Sequence, residues 1–242
     1  MRVTVLTSNK KRHNYLINRL SQVSSKLHIV QECATIFPGI NPGKNKQSKI
    51  MKKYFSKVEK AQNFFFTKHG FLKLNKNCEL LNLQMGDINN IKLNDYKSFF
   101  QSDLYVVFGT SFIKGKILNF LKKNKAINLH MGLSPYYRGT DCNFWAMYDN
   151  NRELVGATTH YLSEILDGGK ILYTTKTLNY QNSYKFTMSA VKIAIDELIK
   201  KIKNKSIFKM TPIKQDKILE IRYSKKKDFN DKIVKNFLKR NF

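Results

Sequence analysis

Short strand-like runs alternate with helical stretches in the first half of the chain, and that alternation narrows the fold more than any other feature. Residues 2–7 (RVTVLT), 27–34 (LHIVQECA) and 103–108 (DLYVVF) have the length and β-branched or aromatic content of buried strands. Between the first two, Tyr15, Leu16, Arg19 and Leu20 recur at helical spacing. Strand, helix, strand at these lengths predicts a parallel sheet flanked by helices, an α/β fold. Ser8 and Asn9 close the first strand with residues suited to a turn and a helix N-cap.

The rest of the chain continues the pattern. Residues 50–66, 95–100, 113–121 and 183–203 read as helices, and 80–83 and 126–130 as strands. Residues 37–47 (FPGINPGKNKQ) read as a loop. Residues 155–161 and 171–177 read as β segments on either side of Asp167-Gly168-Gly169. Residues 222–231 (RYSKKKDFND) read as a turn into a last helix, with Asp228 or Asn230 as its cap. No repeat or low-complexity linker divides the chain. The expected organisation is a core over 1–180, with a helix and extension over 181–242 packed on it.

Composition removes several function classes. The chain has 242 residues and a formal net charge of +27. That charge invites a nucleic-acid partner, but of 44 basic residues only 7 are Arg and 37 are Lys. Phosphate and base recognition lean on Arg, so no nucleic-acid partner is expected; the charge suits an anionic substrate instead. Cys33, Cys78 and Cys142 are widely spaced, with no CxxC and no Cys/His cluster of metal-ligand spacing, so reduced thiols and no metal are expected. The N-terminus turns polar too soon for a signal peptide, and no apolar run approaches the roughly 18 residues of a membrane span. A soluble, cytoplasmic protein is the expectation.

Candidate chemistry concentrates in residues 126–171. Asn128 and His130 stand at i and i+2 at the end of an expected strand, so both side chains face one way. In an open parallel sheet, ligands bind at the carboxyl ends of strands. Asp167 comes from a separate turn, where Gly168 and Gly169 let the backbone bend. Amide, imidazole and carboxylate suit transfer of an acyl group to an amine without a covalent enzyme intermediate. The amide donates to an oxyanion, the imidazole moves a proton, and the carboxylate orients the imidazole. Each element alone is weak: a strand-end His is more often structural, and an Asp before Gly-Gly more often forms a turn. His160 reads as a packing or hydrogen-bonding neighbour.

Taken in order, NLH, SPYYRG, VGATTHY and LDGGKI resemble the formyltransferases that use N10-formyltetrahydrofolate. The resemblance covers about residues 106–175, most closely the nucleotide-sugar N-formyltransferases, through TDCNFWA and the RYSKKKDF tail. It implies a Rossmann-like fold and a catalytic set of Asn128, His130 and Asp167. Where the family usually has Leu-Leu-Pro, this chain has Leu133-Ser134-Pro135. By the same analogy the folate lies across Gly109, Thr110, Ser111 and Phe112 and across Ser163, Glu164, Ile165 and Leu166.

An acceptor diphosphate needs donors. Ser8, Asn9, Lys10, Lys11 and Arg12 stand at a strand-to-helix turn suited to it. Arg138, Asn143 and Trp145 complete the expected acceptor site. The implied acceptor is a nucleotide-linked amino sugar, such as a dTDP-4-amino-4,6-dideoxyhexose bound for a surface polysaccharide, and the implied assembly is a homodimer. Only about 65 residues follow the core, short for the barrel that grips tRNA in methionyl-tRNA formyltransferases; a formyltransferase of methionyl-tRNA or another small amine stands as the alternative, and a basic nucleic-acid-binding protein as a more distant one.

Overall fold

The computed structural model describes residues 1–33 and 48–240, without the side chain of His69. The loop read over 37–47 and the end of the second strand at Ala34 lie outside the described residues. Seven strands form the main sheet: β1 (Arg2–Ser8), β2 (Lys26–Cys33), β3 (Cys78–Gln84), β4 (Leu104–Phe108), β5 (Ile127–His130), β7 (Gly156–Tyr161) and β8 (Ile171–Lys176). Their order is β3-β2-β1-β4-β5-β7-β8. The first five are parallel; β7 and β8 add on antiparallel. This is the mostly parallel, helix-flanked sheet expected from the sequence. The strand order reverses between β1 and β4, and such a switch point opens a crevice at the strands' carboxyl ends.

Alternation within the strands explains why both faces are covered. On β4, Leu104, Val106 and Phe108 enter one core while Tyr105 and Val107 enter the other. The larger core takes helices α1 (Lys11–Ser21), α2 (Lys49–Phe66), α4 (Cys142–Tyr148), α5 (Ser183–Lys203) and α6 (Asp231–Lys239). The smaller is covered by α3 (Gly115–Lys123). Helix α5 buries Phe186, Met188, Ala190, Val191, Ala194, Ile195, Leu198 and Ile202.

Several expectations need correction. Neither Ser8 nor Asn9 caps α1; the cap position is Lys10, with no side-chain hydrogen bond. Helix α3 begins at Gly115, whose φ of +65° suits glycine, and not at Ile113. Residues 95–100 shrink to one 3-10 turn, Lys97–Phe100. The tail read as a turn contains strand β9 (Arg222–Ser224), which pairs in parallel with β6 (Tyr137–Gly139). Asn230 caps α6 by accepting from the Ile233 N–H at 3.2 Å, whereas Asp228 caps the short turn before it.

The β6–β9 pair ties the C-terminal segment to the loop after β5. Gly139 makes that approach possible: its φ is +94°, and an added Cβ would overlap the Ser224 carbonyl oxygen.

Candidate active site

Strand β5 delivers Asn128 and His130 to one side of the sheet, at its carboxyl end. Asp167 reaches the same point from the turn between β7 and β8, with a left-handed φ of +51°. The three expected catalytic side chains therefore meet. His130 Nδ1 is 3.3 Å from Asp167 Oδ1, and Asn128 Nδ2 donates to the same oxygen at 3.3 Å. Asp167 Oδ2 accepts from the Gly139 N–H at 3.1 Å. The turn is fixed from behind by Gln215 Nε2, which donates to the Asp167 carbonyl at 2.8 Å and the Gly169 carbonyl at 2.7 Å.

His160 belongs to this group more closely than the sequence indicated. It is the cross-strand partner of Asn128 on β7. Its Nδ1 lies 2.9 Å from the Tyr161 carbonyl oxygen, an acceptor, so Nδ1 carries the hydrogen. Nε2 is then free to accept from Asn128 Nδ2 at 3.2 Å. The pairing register, invisible in one sequence, is what brings it there.

Burial sets the charges. It works to raise Asp167, but His130, His160 and the Gly139 N–H outweigh it, and the carboxyl is held below its ordinary value. For His130 burial wins: its pKa is lowered despite Asp167 beside it. The resting pair is thus a carboxylate beside an imidazole whose charged form burial disfavours, with both ring nitrogens facing acceptors. His130 Nε2 lies 3.2 Å from the Tyr137 carbonyl oxygen. A proton arriving at Nε2 finds an acceptor there, while Asp167 balances the new charge.

The cluster opens on a cavity of about 600 Å³ between the ends of β1, β4 and β5. Gly109, Thr110, Ser111, Phe112, Ser163, Ile165 and Leu166 line it; Glu164 does not, being turned out to pair with Lys122. Phe112 and Ile165 are 57% and 50% exposed. Gly109 has φ +67° and lies so close to His13 that a Cβ would sit 2.7 Å from the ring nitrogen. Ser8, Lys10 and Arg12 also face the cavity, whereas Asn9 and Lys11 do not; Lys11 bonds Asn63 at 2.6 Å.

The other expected acceptor residues divide. Asn143 lines the cavity, and its Oδ1 accepts from the Gly156 N–H at 3.0 Å. Trp145 does not line it: the indole is core, with the Arg222 guanidinium 4.4 Å over its ring. Arg138 is also turned away. It pairs with Glu220 at 2.7 Å and donates to the Leu166 carbonyl at 2.9 Å, bracing the Asp167 turn.

Sequence reading missed Glu32. Fully buried at the end of β2, its carboxylate accepts from the Ser111 N–H at 2.6 Å, the Ser111 hydroxyl at 2.7 Å and the Gly86 N–H at 2.8 Å. It stitches the cavity-lining loop after β4 to the turn after β3. An acidic residue inside an expected buried strand was the available signal.

Residues 1–190 match the formyl transferase family. The GDP-perosamine N-formyltransferase of Brucella melitensis is 28% identical over 142 residues, 53% of this chain and 54% of that protein. The chain spans 13% and 54% of the lengths of two curated relatives it matches. Among solved structures, a sugar N-formyltransferase from Shewanella superposes with a TM-score of 0.57 at 16% identity, covering 95% of this chain and 78% of that one. Glycinamide ribonucleotide transformylase 1 from Symbiobacterium toebii gives 0.56 at 13% identity, covering 89% and 94%. At these identities the structures speak to fold alone, but the match over residues 1–190 is decisive: the chain belongs to the formyl transferase family.

Proposed function

We propose that the protein is an N-formyltransferase that moves a formyl group from N10-formyltetrahydrofolate to the amine of a nucleotide-linked amino sugar. The convergence of Asn128, His130 and Asp167 on one cavity carries this reading. The curated relative that acts on GDP-perosamine supports the sugar acceptor.

The cavity suits a flat folate ring. The loop from Gly109 to Phe112 lines it, and the half-exposed Phe112 and Ile165 offer apolar surface. Those residues, with Ser163 and Leu166, would hold the donor, which supplies an activated formyl carbon. Lys10 and Arg12 supply positive charge for the acceptor diphosphate. Asn128 offers a hydrogen to the developing oxyanion. Its two N–H groups now serve Asp167 and His160, and the bond to the ring nitrogen is the one to exchange. His130 Nε2 takes the proton leaving the attacking amine, with Asp167 and the Tyr137 carbonyl oxygen holding the imidazolium, and gives it to N10 of the folate as the bond from the formyl carbon to N10 breaks and tetrahydrofolate leaves. No side chain needs to become a covalent nucleophile.

In this reading the acceptor is a dTDP-4-amino-4,6-dideoxyhexose or a close relative, the product enters a surface polysaccharide, and the enzyme works as a cytoplasmic homodimer. No helix among the described residues is long and apolar enough to cross a membrane. The test offers N10-formyltetrahydrofolate with dTDP-, UDP- and GDP-linked amino sugars and follows tetrahydrofolate release. Turnover on glycinamide ribonucleotide or methionyl-tRNA alone would replace the sugar reading.

A further inference from the structure

Three buried hydroxyls on the cavity wall have no partner among the described residues. Tyr54 on α2, with Ser183 and Tyr184 at the start of α5, lines the cavity, and the three are 8%, 1% and 9% exposed. The rings of Tyr54 and Tyr184 have centroids 5.7 Å apart, so the three groups form one cluster. The Ser183 hydroxyl is buried with no hydrogen-bond partner, and neither phenol hydroxyl bonds a described residue. The helix start itself is already capped. The Asn182 side-chain oxygen accepts from the Tyr184 and Lys185 N–H groups at 3.1 and 3.0 Å, which leaves the hydroxyls over.

A hydroxyl buried without a partner is unfavourable unless something arrives to satisfy it. Position limits what that can be. On α2, Tyr54, Val58 and Gln62 follow one another at one-turn spacing, and Gln62 Oε1 accepts from the Arg12 guanidinium at 2.9 Å. The cluster therefore lies about 12 Å along α2 from that contact, two helical turns away. Arg12 and Lys10 are the cations offered to the diphosphate. The donor takes the loops around Gly109 and Ser163, and the amine must reach Asn128, His130 and Asp167. A diphosphate that carries its sugar on one side carries its nucleoside on the other, and the compartment beyond Arg12 is left for it.

The chemistry of the wall agrees. Val58, Phe144, Met188, Val191 and Phe237 surround the hydroxyls with apolar surface. Burial raises both phenols, Tyr184 to about 12, so each keeps its hydrogen at neutral pH. A heterocyclic base has apolar faces and an edge of mixed donors and acceptors, and a hydroxyl can serve either. We propose that the compartment between α2 and α5 is the nucleobase subsite of the acceptor, where the hydroxyls of Tyr54, Ser183 and Tyr184 hydrogen-bond the polar edge of the base. The assignment rests on the nucleotide-linked acceptor reading above.

The test is titration calorimetry on the full chain with inorganic pyrophosphate, dTDP, UDP and GDP. Wild type should bind at least one nucleoside diphosphate more tightly than pyrophosphate. Tyr54→Phe, Tyr184→Phe and Ser183→Ala each remove a hydroxyl and little else. Each should weaken that nucleotide about 3- to 10-fold, the worth of one neutral hydrogen bond, and change pyrophosphate by less than about two-fold. Tm should hold or rise, because no internal bond is lost; a lower Tm in all three variants would show that the hydroxyls already have partners and would overturn the assignment. Equal losses for nucleotide and pyrophosphate would overturn it, as would no loss in any variant, or a wild type that binds no nucleotide more tightly than pyrophosphate. Tetrahydrofolate release by wild type with nucleotide-linked amino sugars is read in parallel. Its absence beside hydroxyl-dependent nucleotide binding would sink formyl transfer and keep the subsite; its presence beside hydroxyl-independent binding would do the reverse.

Discussion

Replacing Asp167 by Asn separates the charge of the site from its shape. The carboxylate places Oδ1 within 3.3 Å of His130 Nδ1 and Asn128 Nδ2, and Oδ2 3.1 Å from the Gly139 N–H. An amide has one oxygen. In either orientation its NH₂ faces a donor, so one side of this arrangement is lost. A hydrogen bond to a charged group is worth about 1.5–3 kcal/mol, and the neutral amide recovers part of the burial cost, so about 1.5 kcal/mol is expected. In a chain of this size that lowers Tm by about 3–6 °C. Asp167 is held below its ordinary value, so its contribution is present above about pH 4 and lost as pH falls through the folded value. The stability gap between wild type and Asp167→Asn should therefore narrow on acidification. Activity should suffer far more, because the imidazolium at His130 loses its counter-charge: kcat is expected to fall about 10²- to 10⁴-fold with donor KM little changed. Tetrahydrofolate release at neutral pH and thermal melts across pH 3–7 measure both effects. A variant keeping more than a tenth of wild-type kcat would refute the role given to this carboxylate.

Other perturbations test separate parts of the account. Glu32→Gln should raise donor KM about ten-fold and leave acceptor KM near wild type, since Glu32 positions Ser111 and Gly86 without touching the acceptor side; equal changes in both KM values would argue against that positioning. His130 should titrate below 6.5 in ligand-free enzyme, followed by imidazole NMR, because burial disfavours its charged form. Its stability contribution is then complete above about pH 6.5 and declines as pH falls towards the folded value, where the unfolded chain binds the extra proton. Gly169→Ala should lower stability by about 3 kcal/mol or more in denaturant melts, because its Cβ would overlap the Tyr161 carbonyl oxygen; wild-type stability would contradict the packing described for the turn.

The sheet was legible because its signals are local, whereas the three central side chains were picked out by the resemblance of four ordered motifs to a known family. β-branched runs mark strands, and Asn128 and His130 share a face through the two-residue period of β5. His160 was read as a hydrogen-bonding neighbour, and it is one; its exact partner, and the elements that escaped, depended on distant pairings. His160 joins Asn128 through the antiparallel register of β5 and β7, and a one-residue slip would have turned it away. Strand β9 exists because Tyr137–Gly139 lies beside it, 85 residues earlier in the case of Tyr137 and Arg222. Trp145 and Arg138 looked like pocket residues from their motif, yet α4 turns the indole to the core and Glu220 takes the guanidinium. Lys11 sits between two cavity residues, Lys10 and Arg12, but helical geometry points it at Asn63.

The most direct measurement is tetrahydrofolate release by the wild-type chain, given N10-formyltetrahydrofolate and a panel of nucleotide-linked amino sugars. The account expects catalytic release with at least one sugar, its amine formylated in the product. Release only with glycinamide ribonucleotide or methionyl-tRNA would contradict the acceptor. No release with any amine, although both substrates bind, would contradict formyl transfer at Asn128, His130 and Asp167.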